Sequence, residues 1–432
     1  MSIKFGTDGI RGIAYEEITI ELAYKLGNAL GRLVDGCRII VGRDTRVSGE
    51  DLSAALAEGL ADAGGDVLDC KLMPTAGVAY LVKRHNCDFG VVISASHNPP
   101  EYNGIKVFDA QGFKASEEVE EKIQILLDGE TVKNSGGQIQ VYEEGQAEYE
   151  DFLVSKGVDL SGMRILLDCS NGACARIAPS VFKRLGADVT ALNTLEDGNL
   201  INENCGAVNA HLLSEMAKDF DVTFAFDGDS DRLIALDEKG EIVDGDKNLV
   251  IIGRYLKERG ELAANVVVGT SMTNLGIEKA IREIGVDFQR VDVGDKYVLR
   301  RLLELGGALG GEGSGHTIIL SESSTGDGVQ TAVALSKIIK SSGKTLSYLA
   351  DIQTFPQIIS SLSVKDKNAV LGDKSLLAVL NDVKSELKDE GRVILRASGT
   401  EQKIRVMVES KDAELNDNIV KKLTNLIKTI EN

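Results

Sequence analysis

The chain has 432 residues, of which 43% are hydrophobic and 27% charged, a composition typical of a soluble globular protein with several domains. Its formal net charge of −19 argues against nucleic acid or an anionic membrane as a partner, because both are bound largely through excess positive charge. No apolar run approaches the roughly 18 residues of a membrane span, and the N-terminus lacks the apolar segment of a signal peptide, so we expect a cytoplasmic protein.

Three segments of the chain show the pattern of a strand, a helix and a second strand. The first strands begin at Arg38, Arg164 and Asn265, the helices span about Glu50–Ala63, Ala175–Leu185 and Leu275–Ile284, and the second strands begin at Asp66, Asp188 and Val286. This spacing is that of a βαβ unit with parallel strands. Three such units predict three related α/β domains, with ligand-binding loops at the carboxyl ends of the strands.

The last 70 or so residues follow a different pattern, which predicts a small α+β domain. A helix at Lys374–Leu387 precedes strands at Arg392–Arg396 and Lys403–Glu409, and a C-terminal helix follows. The predicted domains therefore span residues 1–153, 154–252, 253–361 and 362–432.

The six cysteines lie in the first half of the chain, without the dense spacing of a disulfide scaffold or the pairs of a zinc site. We expect them to be reduced thiols in the protein core.

A short loop follows the buried strand predicted at Val91–Ile93. There the chain changes to small and polar residues and reaches Pro99–Pro100, which cannot continue a strand. We expect a stiff loop that presents Ser96 and His97 outward, so that the Ser96 hydroxyl is a candidate phosphoryl carrier with Lys106 as a cation close by in sequence. An ordinary turn is the alternative.

Three aspartates, Asp227, Asp229 and Asp231, alternate with small residues between two apolar segments. Carboxylates at this spacing can converge on one hard cation. A calcium EF-hand loop would place Glu238 at its twelfth position, but Arg232 stands where that loop needs glycine. A magnesium ion that also takes a phosphate oxygen explains the pattern better than calcium or solvated acidic side chains.

The glycine-rich segment Gly310–His316 carries Glu312, Ser314 and His316 at alternate positions. Alternation lets the three side chains face one side, where they can contact sugar hydroxyls or an amino group. A flexible polar loop with a surface histidine is the alternative.

Cations and hydroxyls also gather in the segment Arg396–Glu401, which Arg405 follows. These side chains and the backbone amides around Gly399 are the groups of a phosphate cradle, and a hairpin turn is compatible with that interpretation. Arg11 and the two arginines of Gly42–Arg46 add cations in other loops.

Together these motifs resemble those of the α-D-phosphohexomutase superfamily, in the same order over nearly the whole chain. Ser94–Pro99 resembles its phosphoserine loop and Asp227–Arg232 its metal loop. Gly311–His316 resembles its sugar-binding loop, and Arg396–Thr400 the phosphate loop of its fourth domain.

Four further segments resemble the branch of the superfamily that acts on glucosamine phosphates, namely Phe5–Gly12, Met73–Leu81, Thr325–Gly328 and Phe355–Ile358. The chain also departs from the family pattern. Ala397 and Gln402 stand where the phosphate loop usually has prolines, and Ser230 stands where the metal loop commonly has glycine. None of these changes removes a liganding group.

The resemblance implies an α/β fold with three related α/β domains and a C-terminal α+β domain around a central cleft. It implies an enzyme that moves phosphate between O6 and O1 of glucosamine, through a phosphoserine enzyme and a 1,6-bisphosphate intermediate. Mg²⁺ would be its cofactor, and a hexose 1,6-bisphosphate its activator.

The resemblance also implies roles for particular residues. The catalytic residues would be Ser96, His97, Lys106, Arg11 and His316. The metal ligands would be Ser96, Asp227, Asp229 and Asp231. The substrate-binding residues would be Arg232, Glu312, Ser314, His316, Arg396, Ser398, Gly399, Thr400 and Arg405. The division of proton transfer among Lys106, Arg11 and His316 stays open.

Three alternative functions use the same parts. A phosphomannomutase or phosphoglucomutase would act on a different sugar, a sensor would bind a sugar phosphate without catalysis, and a phosphatase would release free phosphate.

Overall fold

The structure, a computed structural model, describes residue 6 and residues 9–134, 136–397 and 402–431 of the chain. It divides into two compact units. The first comprises Met1–Met272 and Ile284–Asp351, and the second comprises Thr273–Glu283 and Ile352–Asn432.

The described residues form 18 strands. These are β1 (Ile10–Ile13), β2 (Arg38–Arg43), β3 (Asp66–Leu72), β4 (Phe89–Ile93), β5 (Tyr102–Asp109), β6 (Ile139–Val141), β7 (Arg164–Asp168), β8 (Asp188–Leu192), β9 (Val222–Phe226), β10 (Leu233–Leu236), β11 (Ile242–Val243), β12 (Val266–Thr270), β13 (Asp287–Val291), β14 (Leu309–Gly311), β15 (Thr317–Ile319), β16 (Gln357–Ser363), β17 (Gly391–Ala397) and β18 (Lys403–Ser410).

The same residues form 15 α-helices. These are α1 (Ile20–Leu33), α2 (Gly49–Asp62), α3 (Thr75–Arg84), α4 (Glu117–Leu127), α5 (Gly145–Lys156), α6 (Ile177–Arg184), α7 (Ser214–Ala217), α8 (Gly245–Glu258), α9 (Leu275–Glu283), α10 (Asp295–Leu305), α11 (Gly328–Ser342), α12 (Leu346–Leu349), α13 (Lys367–Leu371), α14 (Lys374–Leu387) and α15 (Ala413–Glu431).

The first unit contains three sheets, one for each predicted α/β domain. Their strand orders are β1-β5-β4-β2-β3-β6, β11-β10-β9-β7-β8 and β13-β12-β14-β15. The pairs β2/β3, β7/β8 and β12/β13 are parallel, and α2, α6 and α9 lie between their members in sequence. The three predicted βαβ units are therefore confirmed, and the antiparallel edge strands make the sheets mixed.

The buried strands position the loops that carry the candidate site residues, because each of these loops begins where an apolar strand ends. All five residues of β4 are buried, as are all five of β9 and all four of β10. This burial confirms the strand predicted at Val91–Ile93, and strands covered on both faces read as continuous apolar runs.

Side chains at the helix starts fix where several helices begin. Thr19 caps α1, Asp244 caps α8 and Asp327 caps α11, each by accepting a backbone N–H of the first turn. Such caps satisfy amide groups that have no partner within the helix.

The second unit contains the three-stranded antiparallel sheet β16-β18-β17, on which α13, α14 and α15 pack. Its core includes Leu376, Val406, Val408 and Leu423. This arrangement confirms the predicted α+β domain, and the helix expected at Lys374–Leu387 has those bounds. The unit also includes α9, because Asn274 exchanges two hydrogen bonds with the backbone of Phe355.

Mixed α/β architecture with four sheets is thus confirmed, while the domain boundaries at residues 153, 252 and 361 stay predictions. All six cysteines are buried and free, as predicted. Among the described helices, none has both the length and the apolar character needed to cross a membrane.

Candidate active site

The loop after β4 carries Ser96 into the interior of the first unit. Ser96 is fully buried and His97 is half-buried, so the prediction that the loop presents them outward is wrong. The Ser96 hydroxyl donates to Oδ2 of Asp227 at 2.5 Å and lies 3.2 Å from Nδ1 of His97. The carbonyl of Ser96 also accepts a hydrogen bond from the side-chain amide of Asn202 at 2.9 Å.

Asp227, Asp229 and Asp231 lie in the loop between the antiparallel strands β9 and β10. All three are buried, and one oxygen from each lies within 4.8 Å of the others. Gly228 lets this loop approach the Ser96 loop, because a Cβ at residue 228 would lie 2.6 Å from the Ser96 carbonyl oxygen. The aspartates predicted from their spacing therefore do converge.

Lys106, which is buried on β5, occupies one side of the aspartate cluster. Its ammonium group donates to Oδ2 of Asp229 at 2.7 Å and to Oδ2 of Asp231 at 3.0 Å, and the Thr75 hydroxyl also donates to Asp229. Within the described part of the chain, Oδ1 of Asp229 and Oδ1 of Asp231 are buried and accept no hydrogen bond. Two unsatisfied carboxylate oxygens beside Asp227 fit a bound metal ion.

Electrostatics within the cluster support the same conclusion. Burial raises the pKa of Asp227 to about 8, and the charges of Asp231 and Asp229 add to this effect. Burial acts in the same direction on Asp231, but Lys106 and His316 hold the pKa of Asp231 well below its usual range. The charges of Asp229 and Asp231 thus oppose ionisation of Asp227, and a cation bound between the carboxylates would relieve this repulsion.

Two arginines, Arg232 and Arg11, also lie near the aspartates. The backbone N–H of Arg232 donates to Oδ1 of Asp227 at 3.1 Å, and Arg232 Nε lies 3.8 Å from Oδ1 of Asp231. Arg11 lies on β1, which pairs with β5, and it interacts electrostatically with all three aspartates. Burial, together with the charges of Arg232 and Arg11, lowers the pKa of His97 to about 4, so its ring is neutral near pH 7.

The glycine-rich segment forms the hairpin turn between β14 and β15, and its side chains do not share one environment. Ser314 is exposed at the turn, whereas His316 is buried and lies near Asp231. Glu312 is half-buried, and its Oε1 accepts the backbone N–H of Gly294 at 3.0 Å. The expectation that the three side chains face one side is therefore wrong, because the segment forms a turn instead of continuing as a strand.

His316 connects the turn to an ionic cluster that the sequence did not suggest. Its Nδ1 lies 3.8 Å from Oδ2 of Asp231 and its Nε2 lies 3.4 Å from Oδ2 of Asp295, which also pairs with Lys114. Burial lowers the pKa of His316, but the carboxylates of Asp231 and Asp295 outweigh it and the pKa is raised. Lys114 and Asp295 belong to no recognisable motif, and the sequence carries no signal that would have linked either residue to His316.

The expectation that Arg46 is a cation available to phosphate is wrong. Arg46 is 1% exposed, and its guanidinium is bonded to protein oxygens in the Ser96 loop.

In the second unit, Arg396 on β17 and Arg405 on β18 are directly opposite each other in the antiparallel register. Ser361 on β16 is the partner of Arg405 on its other side. Two guanidiniums on one face at the end of a hairpin are suited to bind an anion. Ser398, Gly399 and Thr400, which were predicted to complete the cradle, lie outside the described residues.

Comparison with known proteins places these features in a family context. Models of the phosphoglucomutase/phosphomannomutase family match the chain in sequence order. The alpha/beta/alpha domains I, II and III match residues 2–133, 147–240 and 244–355, and the C-terminal domain matches residues 361–426.

The chain is similar over its whole length to curated bacterial proteins. It is 45% identical to the phosphoglucosamine mutase of Finegoldia magna over 429 residues, which cover 96% of each chain. It is 44% identical to the phosphoglucosamine mutase of Acetivibrio thermocellus over 450 residues, which cover 100% of this chain and 99% of the relative.

Solved structures share the fold at low sequence identity. A phosphoglucomutase/phosphomannomutase family protein from Burkholderia thailandensis superposes with a TM-score of 0.84 at 23% identity, covering 99% of this chain and 97% of the other. Aspergillus fumigatus N-acetylphosphoglucosamine mutase, solved in complex with GlcNAc-6P and magnesium, gives 0.72 at 16% identity, covering 100% and 96%.

Proposed function

The chain belongs to the phosphoglucomutase/phosphomannomutase family, and from that membership we propose that it interconverts glucosamine 6-phosphate and glucosamine 1-phosphate. One observation carries the choice of sugar: relatives named phosphoglucosamine mutase are 42–45% identical to it over nearly its full length. The family is one of phosphohexomutases, so the chain is an enzyme.

Ser96 carries the phosphoryl group in this proposal. In the first transfer, the bond from phosphorus to Ser96 Oγ breaks while a bond forms to the free hydroxyl oxygen of the sugar phosphate. The proton of that hydroxyl passes to a base, and Ser96 Oγ takes up a proton. The 1,6-bisphosphate formed then reorients and returns its other phosphoryl group to Ser96. Contact between the Ser96 hydroxyl and Asp227 supports this assignment.

Phosphoryl transfer depends mainly on positioning and on stabilising negative charge. Lys106, Arg11 and His316 supply positive charge and proton transfer around the phosphoryl group, and His97 contacts the Ser96 hydroxyl as a neutral ring. Support for Lys106 comes from its two hydrogen bonds to the aspartate cluster, which fix its ammonium group in place.

Asp227, Asp229 and Asp231 would hold a Mg²⁺ ion together with an oxygen of phosphorylated Ser96. When bound, the ion offsets part of the roughly −1.5 to −2 charge of phosphoserine. Oxygen ligands of this kind suit Mg²⁺, which completes its coordination with phosphate and water. The unsatisfied oxygens of Asp229 and Asp231 support this assignment.

The remaining predicted residues bind the substrate. Glu312, Ser314 and His316 contact the sugar, and Arg232 contacts its phosphate near the aspartates. The group that is not being transferred is held in the second unit by Arg396, Ser398, Gly399, Thr400 and Arg405. The opposite placement of Arg396 and Arg405 supports an anion site there.

The test is turnover of glucosamine, glucose and mannose 6-phosphates side by side, with Mg²⁺ and a trace of glucose 1,6-bisphosphate. We expect the highest kcat/KM with glucosamine 6-phosphate. Higher kcat/KM with glucose or mannose 6-phosphate would assign the chain to another sugar. Release of free phosphate without isomerised sugar would indicate a phosphatase. A protein that binds the sugar phosphate, but neither turns it over nor carries phosphate on Ser96, would be a sensor.

A further inference from the structure

Arg46 follows β2, and its guanidinium is enclosed by the loop that carries Ser96. Its Nε donates to Oδ2 of Asp44 at 3.0 Å. The other four hydrogen bonds go to backbone carbonyl oxygens of the loop at 2.5–2.9 Å, those of Ser96, Asn98, Pro99 and Tyr102. An arginine side chain has five N–H groups, so every one of them is used.

Asp44 extends the same network to the backbone amide of Ser96. Oδ2 of Asp44 accepts the hydroxyl of Ser94 at 2.5 Å, and the Ser94 hydroxyl in turn accepts the N–H of Ser96 at 2.9 Å. The buried pair of Asp44 and Arg46 therefore holds Ser96 at both its carbonyl and its amide. Ser94 is therefore part of the network that holds Ser96.

The held conformation of Ser96 is unfavourable for a residue with a side chain. Ser96 has a φ of +52°, in the left-handed region that favours glycine. Strained backbone of this kind persists where surrounding contacts over-determine it. A buried ion pair is a weak source of stability, since desolvation offsets much of its attraction, so a geometric role explains Asp44 and Arg46 better.

We propose that Arg46, acting with Asp44, is a positioning residue for phosphoryl transfer. Its hydrogen bonds to the loop carbonyls keep the left-handed turn at Ser96 and thereby direct the Ser96 hydroxyl at Asp227. This inference rests on the proposed function, because it assigns Arg46 to the transfer step of that reaction.

Arg46→Lys is the informative substitution, since lysine keeps the charge but has three donors in place of five. Arg38→Lys is the matched control, because Arg38 is exposed at the start of β2, the strand that Arg46 follows. Both variants and the wild type are assayed well below their thermal unfolding midpoints. The measurements are the single-turnover rate of Ser96 phosphorylation by glucose 1,6-bisphosphate, and kcat and KM for glucosamine 6-phosphate.

We expect Arg46→Lys to slow phosphorylation about 100-fold, the scale of loss that small misplacement of a reacting group causes, with KM changed less than about threefold. Arg38→Lys should match the wild type. A folded Arg46→Lys protein that phosphorylates Ser96 at the wild-type rate would overturn the proposal. A loss of activity merely proportional to the unfolded fraction would overturn it equally.

Should Arg46→Lys fail to fold, Ser94→Ala decides the question, because it removes only the hydroxyl that links Asp44 to the Ser96 amide. We then expect a smaller fall in the phosphorylation rate, again with little change in KM, and an unchanged rate would reject the proposal. Failure of the proposed function is recognised separately in the wild type, which would then either gain no phosphate on Ser96 or prefer a sugar phosphate other than glucosamine 6-phosphate.

Discussion

The hydroxyl of Ser96 donates to Oδ2 of Asp227 at 2.5 Å, although 131 residues separate the two in sequence. Ser96 follows β4, which pairs parallel with β2 and antiparallel with β5, and Asp227 lies between antiparallel strands of a second sheet. Both loops start at the ends of buried strands, so the positions of the strands determine how far apart the two loops lie. The proposed phosphoryl carrier and one of the proposed metal-binding carboxylates are thereby placed in direct contact.

The first prediction concerns the carrier. Ser96→Ala should leave the purified protein without covalent phosphate and eliminate turnover, because no other atom at residue 96 can bond the phosphoryl group. Intact-mass measurement and phosphopeptide mapping check the first point, and product formation checks the second. Ser53→Ala is the control, since Ser53 is a buried serine of the same unit that bonds only within α2. Near-normal activity of Ser96→Ala would reject the covalent mechanism.

The second prediction concerns the metal. Asp229→Asn removes one negative charge from the cluster, and we expect activity to fall by about two or more orders of magnitude while the fold is kept. Chelation should likewise stop the wild type, and added Mg²⁺ should restore it.

Asp237→Asn is the matched control for the metal site. Asp237 is also buried and follows β10, but it only accepts backbone N–H groups, a role that asparagine retains. Full activity of chelator-treated wild type would show that the three aspartates have a structural role only.

The third prediction concerns Ser230, which stands between Asp229 and Asp231 where the family pattern commonly has glycine. The φ of Ser230 is +61°. A left-handed conformation costs about 1–2 kcal/mol for a residue with a Cβ, and glycine avoids that cost. Ser230→Gly should therefore be more stable to urea than Ser230→Ala by about 1 kcal/mol, after the greater flexibility of glycine in the unfolded chain is subtracted. Both variants lose the hydroxyl, so the comparison isolates the Cβ. Equal stabilities would mean that the loop relaxes out of this conformation.

Much of this architecture was predictable from local sequence. The βαβ units follow from apolar runs and helical periodicity within about 30 residues, and the aspartate cluster follows from its own spacing. Arg46 was misread because its partners lie 50–56 residues away, and sequence does not distinguish an arginine bonded to carbonyls from one that binds phosphate. Asp295 was missed for the same reason, since only the fold brings it to His316.

The fourth prediction concerns Asp327, which is buried and accepts the hydroxyl of Tyr149 at 2.7 Å. Burial raises the pKa of Asp327 from 3.8 to about 6, against the opposing effect of the Tyr149 hydrogen bond. Between these two values the folded protein holds a proton that the unfolded chain has lost. The stability contributed by the protonated group is therefore full below about pH 4 and is lost as the pH rises through 6.

Asp327→Asn should remove this pH dependence, because asparagine stays neutral. The free energy of unfolding of the wild type, measured relative to the variant, should fall by up to about 3 kcal/mol between pH 4 and pH 7. Urea unfolding of both proteins at several pH values measures the difference and cancels other titrating groups. Parallel curves for the two proteins would show that Asp327 does not titrate in this range.

The last prediction concerns Arg405, which is directly opposite Arg396 across two antiparallel strands. Like charges in this position repel each other, and a bound phosphate between them would relieve the repulsion. If Arg405 holds the phosphate that is not being transferred, Arg405→Ala should raise KM about ten- to a hundredfold, the equivalent of roughly 1.5–3 kcal/mol for a charge-assisted contact. More 1,6-bisphosphate should also escape into solution per turnover, because the intermediate loses the same contact.

Phosphorylation of Ser96 should persist in Arg405→Ala, since Ser96 lies in the first unit. Lys411→Ala is the control and should leave both quantities unchanged, because Lys411 directly follows the far end of β18 and pairs with Glu390. Steady-state kinetics with assay of released bisphosphate measures both effects, and wild-type values for Arg405→Ala would mean that this hairpin contributes no phosphate contact.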